Sequence, residues 1–167
     1  MRPASGGAGG GGAPESEVRP SDAARDRLGW RPSREGFEQI RSLWIAHSKA
    51  EDARDLAGLI ATLSPDCVYE LVPTGRRWVG HDGARAFYTG LLGSFPDVQF
   101  ALQDIVIGPQ GVVEFAAMAA TQAASWEGFR APGGRIRLDV VIHFPWDPAS
   151  ERFAGERIYL DPRDLGG

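Results

Sequence analysis

The sequence predicts an α+β fold in which helices lie on one face of a curved antiparallel sheet. Three observations predict it. Apolar residues recur at helical spacing early in the chain, at Phe37, Ile40, Leu43 and Trp44, with His47 continuing the stripe. The second half instead alternates apolar and polar residues over long runs, most clearly from Arg135 to Asp161. Turn signals punctuate those runs, notably Gly108-Pro109-Gln110-Gly111 and Asp147-Pro148-Ala149-Ser150. A chain of 167 residues with 43% apolar content can bury one substantial core.

Residues 1–32 read as a separate, flexible tail. Gly6 to Gly12 is glycine apart from Ala8, and mixed charges and prolines follow. Such a composition cannot bury enough apolar surface to offset its ordering entropy. It also lacks the apolar centre of about 7–15 residues that a signal peptide needs. Trp30 marks where contact with the domain begins, and residues 33–167 form that domain.

Within it, Ser33 caps the first helix. A second helix starts near Glu51 and carries Leu56, Leu59, Ile60 and Leu63 on one face. Ser64-Pro65-Asp66 ends it, because proline disfavours helix in the residue before it. Cys67 to Val72 reads as a short strand and Trp78-Val79 as another. Asp82 is the expected cap of a third helix with Ala84, Phe87, Tyr88, Leu91 and Leu92. Strands follow at about 98–107, 112–125, 136–146 and 152–161.

Composition excludes several functions. The formal charge of −4 comes with no run of Lys or Arg among aromatics, so a nucleic-acid surface is not expected. The single cysteine, Cys67, permits no internal disulfide and supplies too few thiolates for a zinc site. That count suits a reducing cytoplasm. No apolar run approaches the ~20 residues of a membrane span. There is no glycine-rich phosphate loop, no His-Glu-x-x-His and no Gly-x-Ser-x-Gly elbow.

The last hairpin carries most of the functional argument. Pairing its arms about Ala149 puts Leu138, Val140, Ile142, Phe144, Ala154, Glu156, Ile158 and Leu160 on one face. Arg137, Asp139, Val141, His143, Gly155, Arg157, Tyr159 and Asp161 fall on the other. A slip of one residue would exchange the faces of one arm. The apolar face belongs to a core or a pocket, and Glu156 is its one charged member.

Residues 35–161 resemble the SnoaL-like polyketide-cyclase branch of the nuclear-transport-factor-two-like superfamily. The resemblance lies in Gly80-His81-Asp82-Gly83-Ala84-Arg85-Ala86-Phe87-Tyr88 and Ser94-Phe95-Pro96-Asp97-Val98-Gln99-Phe100. It continues through Ala120-Thr121, Trp126-Glu127-Gly128, Pro132-Gly133-Gly134-Arg135 and the closing Tyr159-Leu160-Asp161. It implies a cone-shaped α+β barrel that encloses a pocket and dimerises through the outer sheet face. It also implies ring closure by an intramolecular aldol reaction without metal or cofactor, using an acid on the last strand and a histidine beside it. When the closing motif is matched, the acid falls at Ile158 and the histidine at Ile142. Isoleucine cannot accept a proton, so that mechanism does not transfer as it stands.

Glu156, one pleat from Ile158, is then the candidate acid/base. Apolar surroundings would raise its pKa towards neutrality. The competing reading is a bulge at Gly155 that sends Glu156 to the rim, paired with an arginine. Tyr69 alternates with Cys67 and Leu71, pointing inward, and is the candidate hydrogen-bonding aid. Ile142, Phe144 and Ile158 are the expected substrate contacts, and Trp126 shapes the pocket mouth. His143 alternates out of phase with the apolar residues and belongs to the outer face. At ~3.3 Å per residue it lies some 13 Å along the strand from Asp139, too far for a dyad. His81 belongs to the start of the third helix. Arg137, Asp139, Arg157, Tyr159 and Asp161 supply a mixed-charge surface suited to a twofold dimer. The functional expectation is a cofactor-independent protein acting on a hydrophobic small molecule by proton transfer or ring closure. The alternative is a non-catalytic binding or dimerisation module that has lost the site.

Overall fold

The computed structural model describes residues 21–129 and 133–165. Its order is α1 (Asp22–Leu28), α2 (Arg34–Asp52), α3 (Leu56–Ala61), β1 (Leu63–Leu71), β2 (Arg76–Val79), α4 (Gly80–Ser94), β3 (Gln99–Gly108), β4 (Gly111–Gln122), β5 (Gly134–Asp147) and β6 (Arg152–Tyr159). The strands form one six-stranded sheet in the order β2-β1-β6-β5-β4-β3. This is the α+β architecture that the sequence predicts, with a sheet that curves but does not close. β2 and β3 remain as its edges. No described helix is long and apolar enough to cross a membrane.

Local chemistry explains most boundaries. The Ser33 hydroxyl accepts from Gly36 N–H at 3.0 Å and starts α2. Asp55 does the same for α3 through Gly58 N–H. α2 therefore runs on through Glu51, and the expected second helix shrinks to six residues. Leu63-Ser64-Pro65 is strand rather than helix end, and β1 pairs with β6 in parallel, against the antiparallel expectation. Asp82 is not a cap. Gly80, at φ 71°, turns the chain straight from β2 into α4, leaving Asp82 in the first turn. Of the expected tail, residues 1–20 lie outside the described residues. Asp22–Leu28 is helical, capped by Ser21, and Gln110 Nε2 donates to Arg27 O at 3.1 Å.

The hairpin shows how the fold places its inner face. Ile142 sits opposite Ile158 and His143 opposite Arg157, whereas nearer the turn Trp146 faces Phe153. Between these pairs β5 has residues 144–145 and β6 has 154–156, so β6 bulges by one residue. Gly155, at φ 117°, makes the bulge, and a Cβ there would lie 2.0 Å from Val68 O. The bulge has two effects on the pattern read from sequence. Phe153 turns inward with 0% exposure, displacing Ala154 from the inner face. Glu156 nevertheless stays inside, at 3% exposure, and is not sent to the rim.

Candidate active site

Glu156 is held by one oxygen. Its Oε1 accepts from the Tyr88 hydroxyl at 2.7 Å and lies 3.0 Å from His47 Nε2. α4 supplies Tyr88, α2 supplies His47, and all three side chains are buried. The Thr62 hydroxyl donates to Leu59 O at 2.6 Å, so its lone pair accepts from His47 Nδ1–H at 2.7 Å. His47 Nδ1 thus carries a proton whatever the ring's charge. Nε2 faces both Glu156 Oε1, at 3.0 Å, and the Tyr88 hydroxyl, at 3.1 Å. Phe144 stacks edge-on against the imidazole at 5.3 Å and Phe153 at 6.2 Å, which fixes the ring plane. Tyr69, paired with Glu156 across β1 and β6, brings its hydroxyl to the same carboxyl.

Glu156 lines a cavity with Glu51, Phe87, Leu91, Trp126, Ile142 and Ile158, closed by further apolar side chains. Its volume is about 20 Å³, room for one water molecule but not for a substrate of ordinary size. Trp126 is 5% exposed and packs edge-on against Phe87 and Phe95 at 5.9 and 5.7 Å. Trp126 and Leu160 are the lining residues carried outside helices and strands.

The site is rich in buried acid. Burial first, then the charges of Glu156 and Glu114, holds the Glu51 carboxyl well above the usual range, with Arg54 opposing. Burial and Glu156 likewise push Glu114 up to about 7. The buried Trp44 indole N–H, which comes close without completing a hydrogen bond, partly offsets that rise. Tyr69 and Tyr88 are pushed well above the ordinary phenol range, again by burial and then by Glu156. Both therefore remain neutral donors. Burial and Asp66 raise the Cys67 thiol to about 11, so it offers no thiolate near neutrality. Among the described residues no group of three His, Cys, Asp or Glu could hold a metal ion.

Of the residues singled out from sequence, Glu156, Trp126, Ile142 and Ile158 meet at the cavity. Tyr69 and Phe144 do not. Tyr69 is fully buried beside Glu156 on the neighbouring strand, where it donates to the Tyr88 hydroxyl at 3.4 Å and reaches the Glu156 carboxyl, and Phe144 stands behind His47. Both point inward, as alternation requires, but α4 and α2 cover them. His143 lies half-buried on the outer face beside Arg157, and burial lowers its pKa. His81 Nε2 lies 3.3 Å from Leu63 O, tying α4 to β1. His47, Tyr88, Thr62 and Glu51 escaped the sequence reading. The signal for the first was present: a histidine in an apolar helical stripe must find a buried partner, and Glu51 follows it at i+4 on the same face.

The SnoaL-like domain family matches residues 44–149, and the chain belongs to it. No curated protein matches the chain. Among solved structures, a proposed SnoaL-like polyketide cyclase of Jannaschia sp. CCS1 superposes with a TM-score of 0.70 at 17% identity, covering 83% of this chain and 95% of that one. AclR, a proposed hydroxylase of Streptomyces galilaeus, gives 0.62 at 21% identity over 77% and 93%. An NTF2-like protein of unknown function from Burkholderia pseudomallei K96243 gives 0.64 at 17% identity over 76% and 94%. These neighbours share the fold and carry different assignments, so function must be argued from the site.

Proposed function

We propose that this chain is a cofactor-independent small-molecule protein that moves a proton on a hydrophobic substrate, with Glu156 as acid/base. One observation carries this reading: Glu156 is buried on the inner face, lines the cavity and is clamped through Oε1 by His47 and Tyr88. A carboxylate base must come within hydrogen-bond reach of the proton it takes. His47 can share the proton that Glu156 gains, because Thr62 already fixes the other ring nitrogen. The family's usual base and histidine positions, by the resemblance, are Ile158 and Ile142, and these become apolar substrate contacts together with Trp126. Access requires Trp126 to swing away from Phe87 and Phe95.

The cavity volume of about 20 Å³ favours a second reading, a non-catalytic module whose interior is simply filled. Thermal shift separates the two. Uncharged hydrophobic carbonyl compounds should raise the melting temperature with concentration, because a ligand of the folded form stabilises it. A flat response across such a panel supports the filled module and contradicts the pocket.

We also propose a homodimer through the outer sheet face. Val106, Val113, Phe115, Val141 and Tyr159 form a strip across four strands, and Val106, Phe115 and Tyr159 are exposed by 56%, 38% and 38%. Arg137, Asp139 and Arg157 flank it with both signs of charge. A cytoplasmic location fits the lone, buried Cys67. Residues 33–167 are the domain of this proposal, with 1–32 its N-terminal extension.

A further inference from the structure

We propose that the groove between the start of α2 and the β3–β4 and β5–β6 turns is a second ligand site, which takes a flat hydrophobic carboxylic acid. The groove has a volume of about 360 Å³, within the range of small-molecule sites, and its wall is mostly apolar. Ile40 and Trp146 are its buried residues, and Trp30, Phe37 and Pro109 stand around them. Among the described residues it shares none of its lining with the Glu156 cavity. It also lies at the opposite end of β4, since Pro109 precedes that strand and Trp126 follows it. The family match spans residues 44–149, and Trp30, Arg31, Phe37 and Ile40 all precede it. One wall of the groove is therefore built outside the segment that matches the family, and the site is independent of the chemistry at Glu156.

Apolar surface and charge together define the ligand. Phe37 is 40% exposed and Trp30 half-buried, so both hold apolar surface in water that a flat ring would cover. Arg27 lies over the Trp30 ring at 5.9 Å, but it lines the neighbouring groove beside Asp66 and not this one. Arg31 is the one charged residue among the described residues that line the groove, and none of the described ion pairs engages it. The nearby Asp147 does not compete for it, because both its oxygens accept within the turn, from Ala149 N–H and from the Ser150 N–H and hydroxyl. Ser33 and Gly36 set the positive end of α2 on the same wall. An amine would meet Arg31 as a like charge, and a neutral ligand would leave it unanswered. A carboxylate matches the planar fork of the guanidinium while its ring lies among Trp30, Phe37 and Trp146.

The probe is 2-naphthoate, with 2-naphthalenemethanol as the neutral control and 2-naphthylmethylamine as the cationic one. Each is titrated into the full chain and followed by proton–nitrogen correlation NMR of the five tryptophan indoles, with Trp30→Phe to assign the Trp30 signal. Naphthoate should shift the Trp30 and Trp146 signals and leave that of Trp126 in place. It should bind about 10-fold more tightly than the alcohol, and the amine more weakly than either. Arg31→Gln should bring the acid down to the affinity of the alcohol without changing the alcohol's own. Trp30→Ala should weaken acid and alcohol alike by about 10-fold, with the melting temperature nearly unchanged. Shifts confined to Trp126, equal affinity for the three probes, or an acid affinity that survives Arg31→Gln would overturn the proposal. So would the absence of any shift up to the solubility limit of naphthoate.

Discussion

Raising the pH from 5 to 8 should cost this fold stability, because Glu114 must ionise inside it. Glu114 lies on the inner face of β4, 7% exposed, and no arginine or lysine answers it among the described ion pairs. Burial and the nearby Glu156 lift its pKa from 4.5 to about 7. A carboxyl raised in the folded state binds its proton more tightly there than in the unfolded chain. Stability is therefore highest below the unfolded value, falls between 4.5 and 7, and stays low above. At 1.36 kcal/mol per pKa unit the loss is about 3 kcal/mol by pH 8. Glu114→Gln removes the titration and offers the Trp44 indole a carbonyl to donate to. Urea denaturation of both proteins at pH 5, 6, 7 and 8 measures it. The variant should equal the wild type near pH 5 and exceed it by up to about 3 kcal/mol at pH 8. Glu51 titrates in both proteins with the same sign, so the difference between them reports Glu114 together with the part of the Glu51 shift that the Glu114 charge causes. A stability gap that does not grow with pH would refute the reasoning.

Two further outcomes follow from packing. Gly155→Ala should lower stability by roughly 3 kcal/mol or prevent folding, since a Cβ at φ 117° overlaps Val68 O at 2.0 Å; thermal melting checks it, and a neutral result would mean that the bulge has relaxed. Phe115→Arg should convert the proposed dimer to a monomer in sedimentation without unfolding it, because residue 115 is partly exposed on the outer strip. A wild-type protein that is monomeric at high concentration removes that interface.

The hairpin was the most legible part of the chain, because period-two alternation survives the bulge. β5 keeps Leu138, Val140, Ile142 and Phe144 inside, as their spacing requires. The exchange of Ala154 for Phe153 could not be read, since it depends on β1 approaching Gly155 too closely for any side chain. Alternation also could not separate lining from backing residues. Tyr69 and Phe144 point inward like Ile142, and only the positions of α4 and α2 decide that neither lines the cavity. The clamp on Glu156 joins residues 109 and 68 positions away in the chain, His47 and Tyr88, and no local pattern links them. The glycine-rich composition said nothing about Asp22–Leu28, where Ser21 supplies an ordinary cap.

In the proposed function the acid buried on β6, Glu156, takes a proton from carbon. The most direct measurement is the α-hydrogen exchange rate of bound 1-tetralone with wild-type protein and with Glu156→Gln, which preserves shape but removes the base. Exchange should fall by about 100-fold or more in a variant that still melts cooperatively. Equal rates in the two proteins would contradict it.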